Sequence, residues 1–207
     1  MTTENGIRAD HRMIFDIIEP GAKVLDLGCG NGDLMQILEQ RKNARVRGIE
    51  VDLSSIYQCV EKGLSVCQGD IESSLEEYPD HAFDYVILNQ SMQEIKNAHF
   101  LLVEALRVGA RVIVGFPNFA HIGARISLFF KGQAPVTDAL PYCWYNTPNV
   151  RFLSIRDFKA FCREKGFRIV GEYYLGAKKR RYLLPNLFAL NGIFVITEAA
   201  KKGPQSP

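Results

Sequence analysis

Three glycines at alternating positions, with acids on either side, are the part of this chain best suited to chemistry. The segment Val24-Leu25-Asp26-Leu27-Gly28-Cys29-Gly30-Asn31-Gly32 runs from a short apolar stretch into a new amphipathic one. Glycines in such a turn permit positive φ and let the backbone approach a ligand where a Cβ would collide. A dinucleotide loop needs Gly-x-Gly-x-x-Gly, but here the third glycine is Gly32 and Asp33 stands where it should be. An acid there is a good helix start, yet it repels phosphate from the positive end of the helix dipole, which disfavours NAD and ATP. A cationic ligand bearing an adenosine suits the turn better, because Asp26 at the strand end can accept from an ammonium group directly or through water. S-adenosylmethionine carries an ammonium and a sulfonium; S-adenosylhomocysteine, its demethylated product, keeps the ammonium.

More polar groups recur where a nucleoside would lie. Glu50, followed by Val51, ends a second apolar run some twenty residues past the glycines, the place where an acid accepts ribose hydroxyls. Asp70 precedes Ile71 after a third run, pairing an acceptor for an adenine amino group with an apolar surface for its ring. Asn89 closes a fourth run. Each acid alone also fits a helix cap or a solvated loop; their recurrence at successive strand ends carries the reading. No general-base constellation accompanies them. His11, His99 and His121 are possible bases, but a lone histidine with no visible partner reads first as a surface or capping residue. No catalytic residue is assigned, and no metal site.

These groups need a scaffold that brings strand ends together. Ile7, Met13, Ile14, Ile17 and Ile18 recur at helical spacing until Glu19-Pro20-Gly21 stops them. Strands follow at 23–27, 46–51, 64–67, 83–89 and 112–116, alternating with helices that begin near Leu34, at 53–62 and at 98–106. Strands that alternate with helices and read as nearly continuous apolar runs imply a mostly parallel sheet covered on both faces, a doubly wound α/β fold. A helix at 158–165 and a strand at 169–174 resume the rhythm, and a last strand at 192–197 has no room before it for a crossover helix. That makes an antiparallel hairpin at the edge of a seven-stranded sheet the economical placement.

Composition narrows the class. The chain has 207 residues, 47% of them hydrophobic and 23% charged, so one core can bury roughly two-thirds of the unfolded surface. A single domain over 1–200 is expected, with a cofactor half (1–116), an insert (117–150), a C-terminal half (151–198) and a disordered tail (199–207). Cys29, Cys59, Cys67, Cys143 and Cys162 are odd in number and form no CxxC pair, which argues against disulfide frameworks and zinc knuckles. The polar start and the lack of a long apolar run point to a cytoplasmic protein without a membrane span. The formal charge of +2 lacks the basic footprint of a dedicated nucleic-acid binder. One local basic run, Lys178-Lys179-Arg180-Arg181, reads as a solvated loop or a contact for an acidic partner.

The insert concentrates Pro135, Pro141, Tyr142, Trp144, Tyr145 and Pro148, flanked by Arg125 and Arg151. Three readings stay open for it: an acceptor lid, a protein interface anchored by Tyr and Trp, or an arm packed on the molecule's own surface. Gln90, His121, Arg125, Tyr142, Trp144 and Tyr145 are the candidates for substrate or partner contact, and the two arginines suit a carboxylate.

The DLGCGNG turn (26–32), GIEVD (48–52), GDIE (69–72) and FDYVILN (83–89) resemble the motifs of class I S-adenosylmethionine-dependent methyltransferases. A closer resemblance covers nearly the whole chain. QSMQ (90–93), GFPNFAH (115–121) and QAPVTDALPYCWYNTPN (133–149), with the helix around Asp157 and Phe158, look like the methionine biosynthesis protein family MetW. That resemblance implies a cofactor pocket lined by Asp26, Gly28, Gly30, Glu50, Asp70 and Ile71, and a partnership with a homoserine O-acyltransferase such as an O-acetyltransferase. Asn89-Gln90-Ser91-Met92 lacks the aromatic clamp used on exocyclic amines of bases, so methylation of nucleic-acid bases loses support. The alternative is a stand-alone small-molecule methyltransferase.

Overall fold

A computed structural model describes residues 3–4, 6–137, 140–176 and 183–198. The basic run 178–181 and the tail 199–207 lie outside the described residues. The chain opens with a small antiparallel pair, β1 (Thr3–Glu4) and β2 (Ile7–Arg8). Helix α1 (Ala9–Ile17), strand β3 (Lys23–Leu27), α2 (Asp33–Lys42), β4 (Arg45–Glu50), α3 (Leu53–Glu61) and β5 (Val66–Gln68) follow. The second half begins with β6 (Phe83–Asn89), α4 (Ala98–Val108) and β7 (Gly109–Pro117). It ends with α5 (Ile122–Ile126), α6 (Ile155–Lys165), β8 (Phe167–Leu175), α7 (Pro185–Phe188) and β9 (Asn191–Glu198).

Seven strands form one sheet in the order β5-β4-β3-β6-β7-β9-β8. All pairs from β5 to β7 are parallel, while β9 runs antiparallel to both β7 and β8. The expected antiparallel pair therefore sits at the sheet edge, with the reversed strand one place in and β8 outermost. Strand order reverses between β3 and β6, so the carboxyl ends of β3, β4 and β6 frame the crevice where doubly wound sheets hold ligands.

Strand alternation divides the core. Leu25 and Leu27 face one layer with Leu101, Leu102 and Phe158 from α4 and α6, while Val24 faces the other with Ile14, Met35 and Leu38 from α1 and α2. Side chains two apart share a face, so Asp26 lies on the α1–α2 side, and β3 ends one residue later. Strand β7 begins earlier than the apolar run suggests, because Gly109 and Arg111 pair with Phe83 and Tyr85 of β6. The insert is less irregular than its composition implies: α5 continues as a π-helical turn over Ser127–Lys131, with Phe129 and Phe130 exposed. No helix among the described residues is long and apolar enough to cross a membrane.

Candidate functional site

The glycine turn is built by its neighbours. The N–H groups of Gly28 and Cys29 donate to the carbonyl of Ile49 at the end of β4, at 2.8 and 3.2 Å. Gly28, Gly30 and Gly32 all have left-handed backbones, with φ of +74°, +54° and +77°. At Gly32 a Cβ would stand 2.5 Å from Leu64 Cδ1 and 2.8 Å from Cys59 Sγ, so α2 starts hard against the α3–β5 connection. At Gly30 a Cβ would meet nothing within 4 Å; the turn is open on that side, toward a cavity of about 570 Å³.

All eight residues expected at a cofactor line this cavity: Asp26, Gly28, Gly30, Glu50, Val51, Asp70, Ile71 and Asn89. Gln90 lines it too, held at φ +63° as the chain leaves β6. The insert candidates do not. His121 caps α5, its Nδ1 accepting from Gly123 N–H, and Tyr142, Trp144 and Tyr145 lie at the surface, 48%, 76% and 71% exposed. Arg125 lines a separate hollow. Arg151 holds no carboxylate among the described residues; its guanidinium donates to the carbonyls of Ile95 (2.8 Å) and Lys96, bracing the loop that carries Ser91 and Ile95 along the cavity.

The acids differ in what they already hold. Glu50 accepts from three backbone N–H groups, Gly30 at 2.8 Å, Val51 at 2.8 Å and Asp52 at 2.9 Å. A carboxylate offers about four acceptor positions, so it retains capacity toward the cavity. Asp70 takes Glu72 N–H on one oxygen at 2.7 Å, which makes it a turn-forming residue as well as a cavity residue. Asp33 is tied to Lys62 at 2.6 Å; burial opposes its ionisation, but the Lys62 ammonium and the Asn31 amide bring its pKa below the ordinary value.

Asp26 stands apart. It is buried at 3% exposure, and its carboxyl has no hydrogen-bond partner among the described residues. Burial, and secondarily the charge of Glu50, push its pKa up to about 7. A buried carboxyl in this state is incomplete, since ionised acids are buried only when paired. The cavity beside it is where a cationic group would complete it.

Sequence reasoning missed one wall of the cavity, formed by Arg8 and His11. His11 is buried rather than superficial, and burial lowers its pKa so that the ring is neutral. Its neighbour Asp10 is fully buried, ion-paired with Arg8 at 2.7 Å and accepting from Asn89 Nδ2 at 2.9 Å. Burial would raise Asp10, but Arg8, followed by His11 and the Asn89 hydrogen bond, outweighs it and holds its pKa below the carboxylate norm. A signal was present: Asp10, Met13 and Ile14 share one helix face, so a charge occupies the apolar side of α1.

The family model for the methionine biosynthesis protein MetW matches residues 8–196. The chain belongs to the MetW family. A bifunctional methionine biosynthesis protein MetXA/MetW of Rhodopirellula baltica is 36% identical to this MetW-family chain over 162 residues, which are 74% of the chain and 26% of that larger protein. The chain thus spans about a quarter of the length of that relative. A ribosomal protein L11 methyltransferase of Burkholderia mallei is 28% identical over 96 residues, 46% of the chain and 32% of that protein. Among solved structures, a SAM-dependent methyltransferase of Archaeoglobus fulgidus superposes with a TM-score of 0.69 at 15% identity, covering 92% of each chain. At that identity the likeness establishes a methyltransferase fold for the MetW-family chain and leaves its activity to the site.

Proposed function

We propose that this protein binds S-adenosylmethionine, or its demethylated product, and acts with a homoserine O-acyltransferase in methionine synthesis. Asp26 is the observation that carries the reading: a buried, unpartnered carboxyl beside an open glycine turn calls for a cation, and both molecules bring an ammonium. Glu50 has spare acceptor capacity for ribose hydroxyls, and Asp70 with Ile71 suits the adenine. The partnership is supported by family membership and by the relative in which MetXA and MetW are one polypeptide. Binding the pathway's downstream metabolite would make the pair a feedback sensor.

When bound, S-adenosylmethionine supplies an activated methyl group, and the chain's own residues then orient it and exclude water. Stand-alone methyl transfer is the second reading, favoured by His11, a neutral imidazole at the cavity with no hydrogen-bond partner among the described residues.

Calorimetric titration with S-adenosylmethionine and S-adenosylhomocysteine tests the pocket, and acyl transfer by the cognate acyltransferase, assayed with and without the protein across cofactor concentrations, tests the role. Stimulation that varies with cofactor is the expected result. Cofactor binding with no complex and no stimulation would turn the search to a methyl acceptor.

A further inference from the structure

A second hollow, of about 620 Å³, lies between α6 and α7. Among the described residues its lining combines apolar Ile155, Tyr174, Pro185 and Leu187, buried or half-buried, with the half-buried Lys159 and Asn186 and three exposed arginines, Arg125 from α5 and Arg156 and Arg163 from α6. Lys159, on the same face of α6, is paired with Glu172 at 2.8 Å. The three arginines have no ion pair among the described residues; Arg125 only donates its Nε–H to the carbonyl of Ala120, at 2.7 Å.

Two features decide what anion this groove fits. Arg156 and Arg163 stand two helical turns apart, roughly 10 Å along the axis, which is longer than one compact anion and matches a row of carboxylates on a peptide. The usual phosphate device, a helix N-terminus with free N–H groups, is also closed. Ile155 N–H donates to Asn118 Oδ1, Arg156 N–H to Asn186 Oδ1 and Asp157 N–H to Ser154 Oγ, while Asp157 returns the capping bond to Ser154. Guanidinium groups, the side-chain amide of Asn186 and apolar surface remain on offer, and Leu184, 57% exposed on the same hollow, extends the apolar part. The chain's own last residues, KKGPQSP, are basic and do not complement it.

We propose that this groove docks an acidic segment of a protein partner, carboxylates on Arg156 and Arg163 and apolar side chains between α6 and α7. Arginine beside apolar surface is the favoured make-up of such anchors, and the charge sign selects the partner. That the partner is the homoserine O-acyltransferase rests on the function proposed above; the chemistry of the groove does not.

The test uses the full chain and R156E/R163E, with R156A/R163A as a milder variant should the reversal misfold. Two ligands are titrated, a fluorescent peptide of alternating Glu and Leu, with pyrophosphate as competitor, and the cognate acyltransferase. The expected result is peptide binding that weakens with salt, and at least a tenfold loss of both peptide and acyltransferase affinity in the variant, with S-adenosylmethionine binding unchanged. Equal acyltransferase affinity for both proteins would overturn the docking site and leave the partnership standing. Peptide binding without acyltransferase binding would keep the groove and overturn the partnership. Absence of peptide binding, or displacement by equimolar pyrophosphate, would overturn the groove as a peptide site.

Discussion

Glu50 Oε2 accepts the amide N–H of Gly30 at 2.8 Å, so the acid ending β4 clasps the glycine turn that follows β3. The other oxygen holds Val51 and Asp52. Glu50 therefore shapes the cavity wall and the glycine turn through one side chain.

Replacing Glu50 by Ala strips three N–H groups of their acceptor. The expected cost is about 1–3 kcal/mol of stability and a fall of at least about tenfold in S-adenosylmethionine affinity. Chemical denaturation and calorimetry measure the two. Unchanged affinity would remove Glu50 from the cofactor site.

Gly30 and Gly32 should separate stability from binding. Gly32→Ala forces a Cβ into Leu64 and Cys59 at positive φ, costing about 2–4 kcal/mol, visible as a lowered Tm. Gly30→Ala meets no atom, so only the left-handed backbone penalty of about 1–2 kcal/mol applies, while the new methyl narrows the ligand's path. A larger Tm loss in the Gly30 variant would contradict this assignment.

Asp26 should make the stability of the protein depend on pH. With its folded pKa up at about 7 and an unfolded value near 3.9, the folded state keeps a proton that the unfolded state has lost. Stability should thus fall as pH rises between about 4 and 7, by up to about 4 kcal/mol. Cofactor affinity should move the other way, rising toward pH 7 because the cation selects the ionised carboxylate, with proton release on binding at pH 6. Asp26→Asn should flatten this stability slope and weaken binding. Calorimetry in buffers of different ionisation enthalpy counts the protons, and none released at pH 6 would refute the assignment.

Arg151→Ala unties the carbonyls of Ile95 and Lys96. Faster amide exchange over residues 91–97 is expected, with a loss of about 1 kcal/mol or less in global stability and a several-fold weaker cofactor affinity. Unaltered exchange there would show that the loop is held by other contacts.

The sequence by itself determined the alternation of strands and helices, because apolar periodicity and glycine turns are local signals, and β3 and β6 appear with the predicted ends. It also pointed to eight of the residues that line the cavity, because parallel strands place their carboxyl ends on one edge. Tertiary structure alone decided that β9 enters between β7 and β8, since pairing is set by edges that lie far apart in the chain. It also decided that α1 closes the cavity with His11, that Arg151 braces a loop some 55 residues upstream, and that the arginines of α5 and α6 meet across one groove. Each of these depends on which faces pack together, a long-range choice that no local spacing encodes.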